Sequence, residues 1–194
     1  MEAMSSPETI ILANEPIRPL KRVEYERLAA EGFFEDEKVE LLFGMVVPMT
    51  PIDPAHSKSG RLLRSLLESQ LGDRADICNH DPFAASEISE PEPDIMVVAP
   101  GEATWTTHPT RAFLVAEVAR SSLRRDKGPK AVLYGLAAVD EYWIVNHVDG
   151  VVEVYRDRHD GVWRSTSIHQ RGETIAMLQF PDVVVAVSKI LPPI

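Results

Sequence analysis

Asp94-Ile95-Met96-Val97-Val98 and Phe113-Leu114-Val115-Ala116-Glu117-Val118-Ala119 decide the fold. Both runs are short and almost wholly apolar, the pattern predicted for central strands buried on both faces of a sheet. Each carries one carboxylate that such a strand should not tolerate. Asp94 opens the first run, directly after Glu90-Pro91-Glu92-Pro93, and Glu117 sits inside the second. A carboxylate so placed costs several kcal/mol unless it is paired, protonated or bound to a metal. If the two strands are neighbours in register, both carboxylates reach one side of the sheet and form an oxygen-rich site suited to Mg²⁺ or Mn²⁺. The residues alone leave another option open, in which Asp94 caps a strand end and Glu117 pairs with an arginine.

Outward from this centre the chain alternates between the two periodicities. Val23 to Ala30 is predicted as a short helix closed by Gly32. Val39 to Met49 is predicted as two strands around a tight turn at Gly44, with Glu40 near the start. Ala55 to Leu71 places Leu62, Leu63, Leu66, Leu67 and Leu71 on one helix face and Lys58, Arg61 and Arg64 on the other, ending at Gly72. Asp76 to Asn79 and Ala84 to Glu87 are further strand candidates. Beyond the second apolar run, Pro129 to Val139 is predicted as a helix with Pro129 at its first position. Glu141 to Asn146 and Val151 to Arg156 are predicted as a hairpin turning at Asp149-Gly150 in a type I′ turn. Asp160-Gly161 leads to a strand at Val162 to Ile168, and Thr174 to Leu178 and Val183 to Val187 follow. The order predicts an α/β (α+β) chain, a mixed β-sheet flanked by helices with extra C-terminal β-hairpins. Residues 1–20 carry Pro7, Pro16 and Pro19 without periodicity and are predicted as an N-terminal arm; residues 21–194 are predicted as a single domain.

Composition narrows the function. The chain has 194 residues with 20 Lys and Arg against 30 Asp and Glu, a net charge of −10. A protein that holds nucleic acid on a broad basic surface is thereby excluded. Any nucleic-acid contact has to be local, assisted by a metal ion or supplied by a second subunit. The lone Cys78 can form neither an intramolecular disulfide nor a zinc signature, which fits a reducing cytoplasm. No apolar run approaches the ~20 residues of a membrane-spanning helix, and residues 1–20 lack the basic start of a secretory signal.

Local charge and aromatic placement add to the reading. Arg120, Arg124, Arg125, Lys127 and Lys130 form the densest basic stretch of an acidic chain, either a solvated helix entry or a local positive patch for a phosphate backbone. His56 heads the long helix, where it caps, faces solvent, or works near a phosphate or metal. Glu40 is either half of a surface ion pair or part of the site. Tyr142 and Trp143, at strand spacing, read as core.

The set of stretches Glu40-Leu41-Leu42-Phe43-Gly44, His56, Pro91-Glu92-Pro93-Asp94, Glu117-Val118, Arg124 to Lys130, Tyr134 and Asp140 to Val145 resembles the Uma2 family, also called DUF820, within the PD-(D/E)XK nuclease superfamily. The resemblance runs from about Leu28 to Val187 in matching order. It implies a restriction-endonuclease-like core with a divalent metal held by Asp94 and Glu117, Glu40 completing the shell. The superfamily lysine usually stands two residues after the Glu, where this chain has Ala119; related sequences carry it on the following helix, which implies Lys130 first and Lys127 second. Arg120 stands where the family commonly has a small hydroxyl residue, and Asn146 where it often has Asp. The activity implied is hydrolysis of DNA phosphodiester bonds with Mg²⁺ or Mn²⁺, with Asp94, Glu117, Lys130 and Glu40 in the reaction, and His56, Lys127 and Arg120 as accessories. Two other outcomes stay open: a catalytically silent nuclease fold that binds nucleic acid or a partner, and metal-dependent hydrolysis of another phosphoester. Because a duplex has two strands, a homodimer is expected.

Overall fold

The computed structural model describes residues 16–193. Helix α1 (Arg22–Ala30) leads to the antiparallel pair β1 (Val39–Leu42) and β2 (Met45–Pro48), then to α2 (Pro54–Leu71). Strands β3 (Asp76–Cys78), β4 (Ile95–Val98) and β5 (Arg111–Ala119) follow. A crossover of two short helices, α3 (Leu123–Arg125) and α4 (Ala131–Leu136), joined by the wide turn Asp126–Lys130, returns the chain to β6 (Ala138–Asn146). Strands β7 (Val151–His159), β8 (Val162–His169), β9 (Thr174–Ala176) and β10 (Val184–Ala186) and helix α5 (Val187–Ile190) complete it.

The main sheet has six strands in the order β3-β4-β5-β6-β7-β8. Only β5 and β6 pair in parallel; every other neighbour is antiparallel. That one parallel pair is why the chain needs a crossover, since a short hairpin cannot join parallel strands. Alternate side chains of the central strands feed two cores. Ile95, Val97, Leu114, Ala116, Val118 and Trp143 pack under Leu63, Leu67 and Leu71 of α2 and the C-terminal β9, β10 and α5. Met96, Val115, Ala119, Tyr142 and Ile144 face Tyr134 and Leu133 of the crossover, with Cys78 and Phe83 beside them. The apolar runs are therefore covered on both sides, and Tyr142 and Trp143 are fully buried core residues on opposite faces.

Several local expectations need correction. Ala84 to Glu87 is not a strand: Ala85 N–H turns back onto Phe83 O, and the segment makes only a single bridge between Ser86 and Ser89. The helix expected over Pro129 to Val139 starts earlier, kinks at Gly128 and ends at Leu136. Its predicted tail is drawn into the sheet, where Ala138 and Val139 pair with Arg111 and Ala112. The β6–β7 turn is not a two-residue type I′ turn. Asn146 pairs with Val151, so four residues form the loop, and of Asp149 and Gly150 only Gly150 has positive φ. The Asn146 side-chain oxygen holds the loop by accepting from Val148 and Asp149 N–H, each at 3.0 Å. The paired positive φ values of a type I′ turn occur instead at Asp160-Gly161 and Phe43-Gly44. Most of the expected arm lies outside the described residues; Leu20 N–H is tied to Gly44 O at 3.0 Å. No described helix is long and apolar enough to cross a membrane.

Candidate metal centre

The register between β4 and β5, with Ile95 opposite Ala116, sets Asp94 opposite Glu117. Opposed residues of an antiparallel pair point to the same face, so one short ladder brings the two buried carboxylates together. Asp94 N–H lies 3.4 Å from Glu117 Oε2, and Val118 N–H donates to Asp94 Oδ2 at 2.6 Å. From above, α2 contributes His56, whose Nε2 is 2.9 Å from Asp94 Oδ1. Asp53 accepts from His56 N–H at 2.8 Å and caps the helix that carries this imidazole.

The crossover supplies the lysine. Lys130 Nζ sits 2.9 Å from Glu117 Oε1 and 3.0 Å from Glu40 Oε2, and Tyr134 O–H donates to the same Glu117 Oε1 at 2.8 Å. Glu40 is further engaged by Arg125 at 3.4 Å and by Glu92 N–H at 3.4 Å. The wide turn Asp126–Lys130 explains how Lys130 arrives. The residue belongs to neither strand, and the kink at Gly128 sets its turn under the end of β5. Thus Asp94, Glu117, Glu40, Lys130 and His56 are brought into one cluster. Lys127 points elsewhere, to Glu153 at 3.0 Å, and Arg120 pairs with Asp53 at 3.2 Å on the rim.

The cluster opens into a small cleft of about 50 Å³ that Arg120, Arg125 and Asp126 also line. Its electrostatics are dominated by carboxylates taken out of water. Burial, reinforced by Asp94, Asp126 and Glu40, pushes the Glu117 carboxyl up to about 8 even though Lys130 pulls it down. Burial likewise lifts Asp126 to about 6 against the opposing pull of Lys130. Burial works against the Lys130 ammonium, but Glu117, Glu40 and Asp126 outweigh it and hold its affinity for protons well above the ordinary value. His56 follows the same logic: burial lowers it, the hydrogen bond and charge of Asp94 raise it more, and the net direction is up.

Among the described residues, no three His, Cys, Asp or Glu side chains form a ready-made metal cage. The donor chemistry nevertheless fits a hard divalent cation. Glu117 Oε1 is committed to Lys130 and Tyr134, while Oε2 has only the long contact to Asp94 N–H. Asp126 Oδ2 is buried without a hydrogen-bond partner. Crowded carboxylates driven toward protonation are in the condition that a cation relieves. Mg²⁺ typically binds through one or two carboxylates and completes its shell with water and substrate phosphate, so a carboxylate pair is an adequate protein contribution.

Three features escaped sequence reading. Asp126 lay hidden inside a basic run, and Tyr134 was visible only as part of the resemblance. His80, whose Nδ1 stands 3.4 Å from Asp94 Oδ1, had no signal of its own. The basic run is also not the open positive patch that its composition offered. Arg120, Arg125, Lys127 and Lys130 are each spent on an acid, Asp53, Glu40, Glu153 and Glu117 respectively.

Residues 22–188 match the Uma2 family, described as "Putative restriction endonuclease". The fold is similar to a crystal structure described as "a putative nuclease belonging to DUF820 from Anabaena variabilis ATCC 29413". The TM-score is 0.70 at 14% sequence identity, over 89% of this chain and 97% of that one. At that identity the likeness is one of fold. No curated protein matches the sequence.

Proposed function

Since this chain belongs to the Uma2 family, we propose that it is a nuclease that hydrolyses phosphodiester bonds within DNA, using Mg²⁺ or Mn²⁺ held by Asp94 and Glu117. The observation that carries the reading is the opposition of these two buried carboxylates beside a buried lysine. When bound, the ion supplies Lewis-acid polarisation of a phosphodiester oxygen and activation of water. The remaining work falls to the chain's own side chains.

Lys130 keeps its proton at neutral pH and so does not serve as a base. It is a fixed positive charge beside the reacting phosphate, preorganised against the negative charge that develops there. Glu40 pairs with that ammonium alongside Glu117 and is itself held by Arg125. Tyr134 and Lys130 hold one Glu117 oxygen and leave the other for the ion. His56 orients Asp94 as an outer partner orients a ligating carboxylate. Asp126 lines the same cleft with a carboxyl that burial lifts to about 6, a range suited to accepting the proton of the attacking water. Cutting both strands of a duplex takes two copies, so the DNA complex is a homodimer in this reading.

The test is cleavage of supercoiled plasmid with Mg²⁺ or Mn²⁺, comparing wild type with Asp94→Asn and with an EDTA blank. Wild type is expected to nick the plasmid, and Asp94→Asn to fall to the blank while keeping its circular dichroism spectrum. Equal cleavage by the two proteins removes Asp94 from the site. Duplex binding without turnover in any metal identifies a nuclease-fold binding module instead.

A further inference from the structure

The polar face of α2 carries basic side chains that the metal centre does not use. Arg64 is tied to Glu68 and His56 to Asp94, which leaves Lys58 and Arg61 without an acidic partner among the described residues. Arg61 lines a second cleft of about 290 Å³, together with Ser57, Gly60, Asn79 and His80. His56 and Asp94 border both clefts, so this one adjoins the metal centre.

One feature of the second cleft is not explained by packing within the chain. Gly60 lies inside α2, where glycine costs helix stability relative to alanine. A Cβ at that position would meet nothing within 4 Å, so packing within the chain does not require the glycine. It leaves the helix flank bare. His80 adopts φ 57, in the left-handed region where histidine is one of the more frequent non-glycine residues. Its N–H donates to Pro93 O at 3.2 Å, and its imidazole Nδ1 stands 3.4 Å from Asp94 Oδ1 at the cleft wall.

We propose that this cleft is a phosphate subsite for the DNA strand, receiving a phosphodiester next to the one at the Asp94–Glu117 centre. Arg61 offers the forked guanidinium suited to phosphate oxygens, Asn79 offers its amide donors, and bare Gly60 admits the phosphate close to the helix. His56 Nε2 at 2.9 Å and His80 Nδ1 at 3.4 Å stand against Asp94 Oδ1, so imidazole edges flank that carboxylate oxygen. The same cleft gives a strongly acidic chain the local contact with a polyanion that its overall charge denies it. The proposal rests on the nuclease reading of the neighbouring centre, and its test separates the two.

Binding of a fluorescein-labelled DNA duplex is measured by anisotropy in EDTA and in Ca²⁺ over a salt series, with plasmid cleavage in Mg²⁺ measured alongside. Arg61→Gln is expected to weaken duplex binding roughly tenfold and to reduce the slope of log K against log salt by about one. Gly60→Leu fills the cleft and is expected to weaken binding while raising the thermal midpoint, since leucine is the better helix former. A purely structural glycine would do the opposite and lower the midpoint. Arg61 is exposed, so its variant keeps the test decisive if Gly60→Leu folds poorly. Unchanged affinity and salt slope in Arg61→Gln, in a protein whose wild type cleaves plasmid, overturn the subsite and leave the nuclease reading intact. Weakened binding in the cleft variants of a protein that cleaves nothing sinks the nuclease reading and keeps the phosphate site.

Discussion

Replacing Lys130 with methionine removes the buried ammonium of the carboxylate cluster while keeping most of its volume. Lys130 is 4% exposed and stands within 3.0 Å of Glu40 and 2.9 Å of Glu117. Removing one partner of such a pair costs about 3–5 kcal/mol, because the other charge stays buried. Against a typical total of roughly 5–15 kcal/mol, that is a large but measurable loss. The loss also depends on pH, and its sign can be worked out. Glu117 already sits at about 8 and Asp126 at about 6, with Lys130 pulling both down; without it both rise further. A carboxyl whose folded value exceeds its unfolded value binds more protons when folded. Its folded state therefore loses stability as pH climbs from the unfolded value through the folded one. The wild type loses the same stability up to its own folded values, so the penalty of Lys130→Met is flat near pH 5 and grows toward pH 9 only above about 6 for Asp126 and about 8 for Glu117, by at most ~1.4 kcal/mol per pH unit for each carboxyl. Urea unfolding followed by circular dichroism at those two pH values measures it. The double variant Lys130→Met/Glu117→Gln should recover the part of the penalty that grows above about pH 8. A penalty below ~1 kcal/mol at pH 9, or one equal at both pH values, would refute the reasoning, since the measured cost of severing a buried pair is well above that.

Two further substitutions probe the frame around the site. Burial, with Glu26 adding to it and Arg22 opposing, lifts the Glu90 carboxyl from its ordinary 4.5 to about 8. Wild-type stability should consequently fall as pH rises through that interval, and Glu90→Gln should flatten the fall by up to ~1.4 kcal/mol per pH unit; parallel pH profiles for the two proteins would rule this out. Gly135→Ala should destabilise by ~1–3 kcal/mol despite alanine's helix preference, because its Cβ would lie 2.8 Å from the Gly161 carbonyl oxygen; a raised thermal midpoint would show that this approach can relax.

The parts of the fold legible in the sequence were those with strong periodicity. Leu62 to Leu71 specified α2 and its buried face, and the apolar runs at Asp94 and Phe113 specified the two central strands. Pairing them in register was then enough to bring Asp94 and Glu117 together. What stayed hidden depended on tertiary pairing. Val139 has nothing local to say that β5 captures it, and Asp149-Gly150 carries a hairpin signal whose loop geometry is decided by Asn146. The site shows the same division. Spacing put Lys127 and Lys130 just beyond the second strand and the resemblance ranked Lys130 first, but a kinked turn delivers it, whereas the burial of Asp126 and the approach of His80 to Asp94 leave no trace in residue spacing. The basic run misled because composition counts charges and cannot see that acids distant in sequence have already taken four of its five.

Cys78 ends β3 at the edge of the main sheet, buried against the second core, and burial lifts its thiol to about 11. Thiolate is therefore scarce at neutral pH, and what forms is enclosed, so disulfide-exchange reagents reach the sulfur chiefly when β3 peels away from β4. Because the chain has one cysteine, its labelling kinetics form a single-channel clock for that opening. Asn79 and His80 follow the thiol immediately, so the clock runs at the hinge of the loop that borders Asp94. Without any introduced probe, the protein reports how often the edge of its own site comes undone.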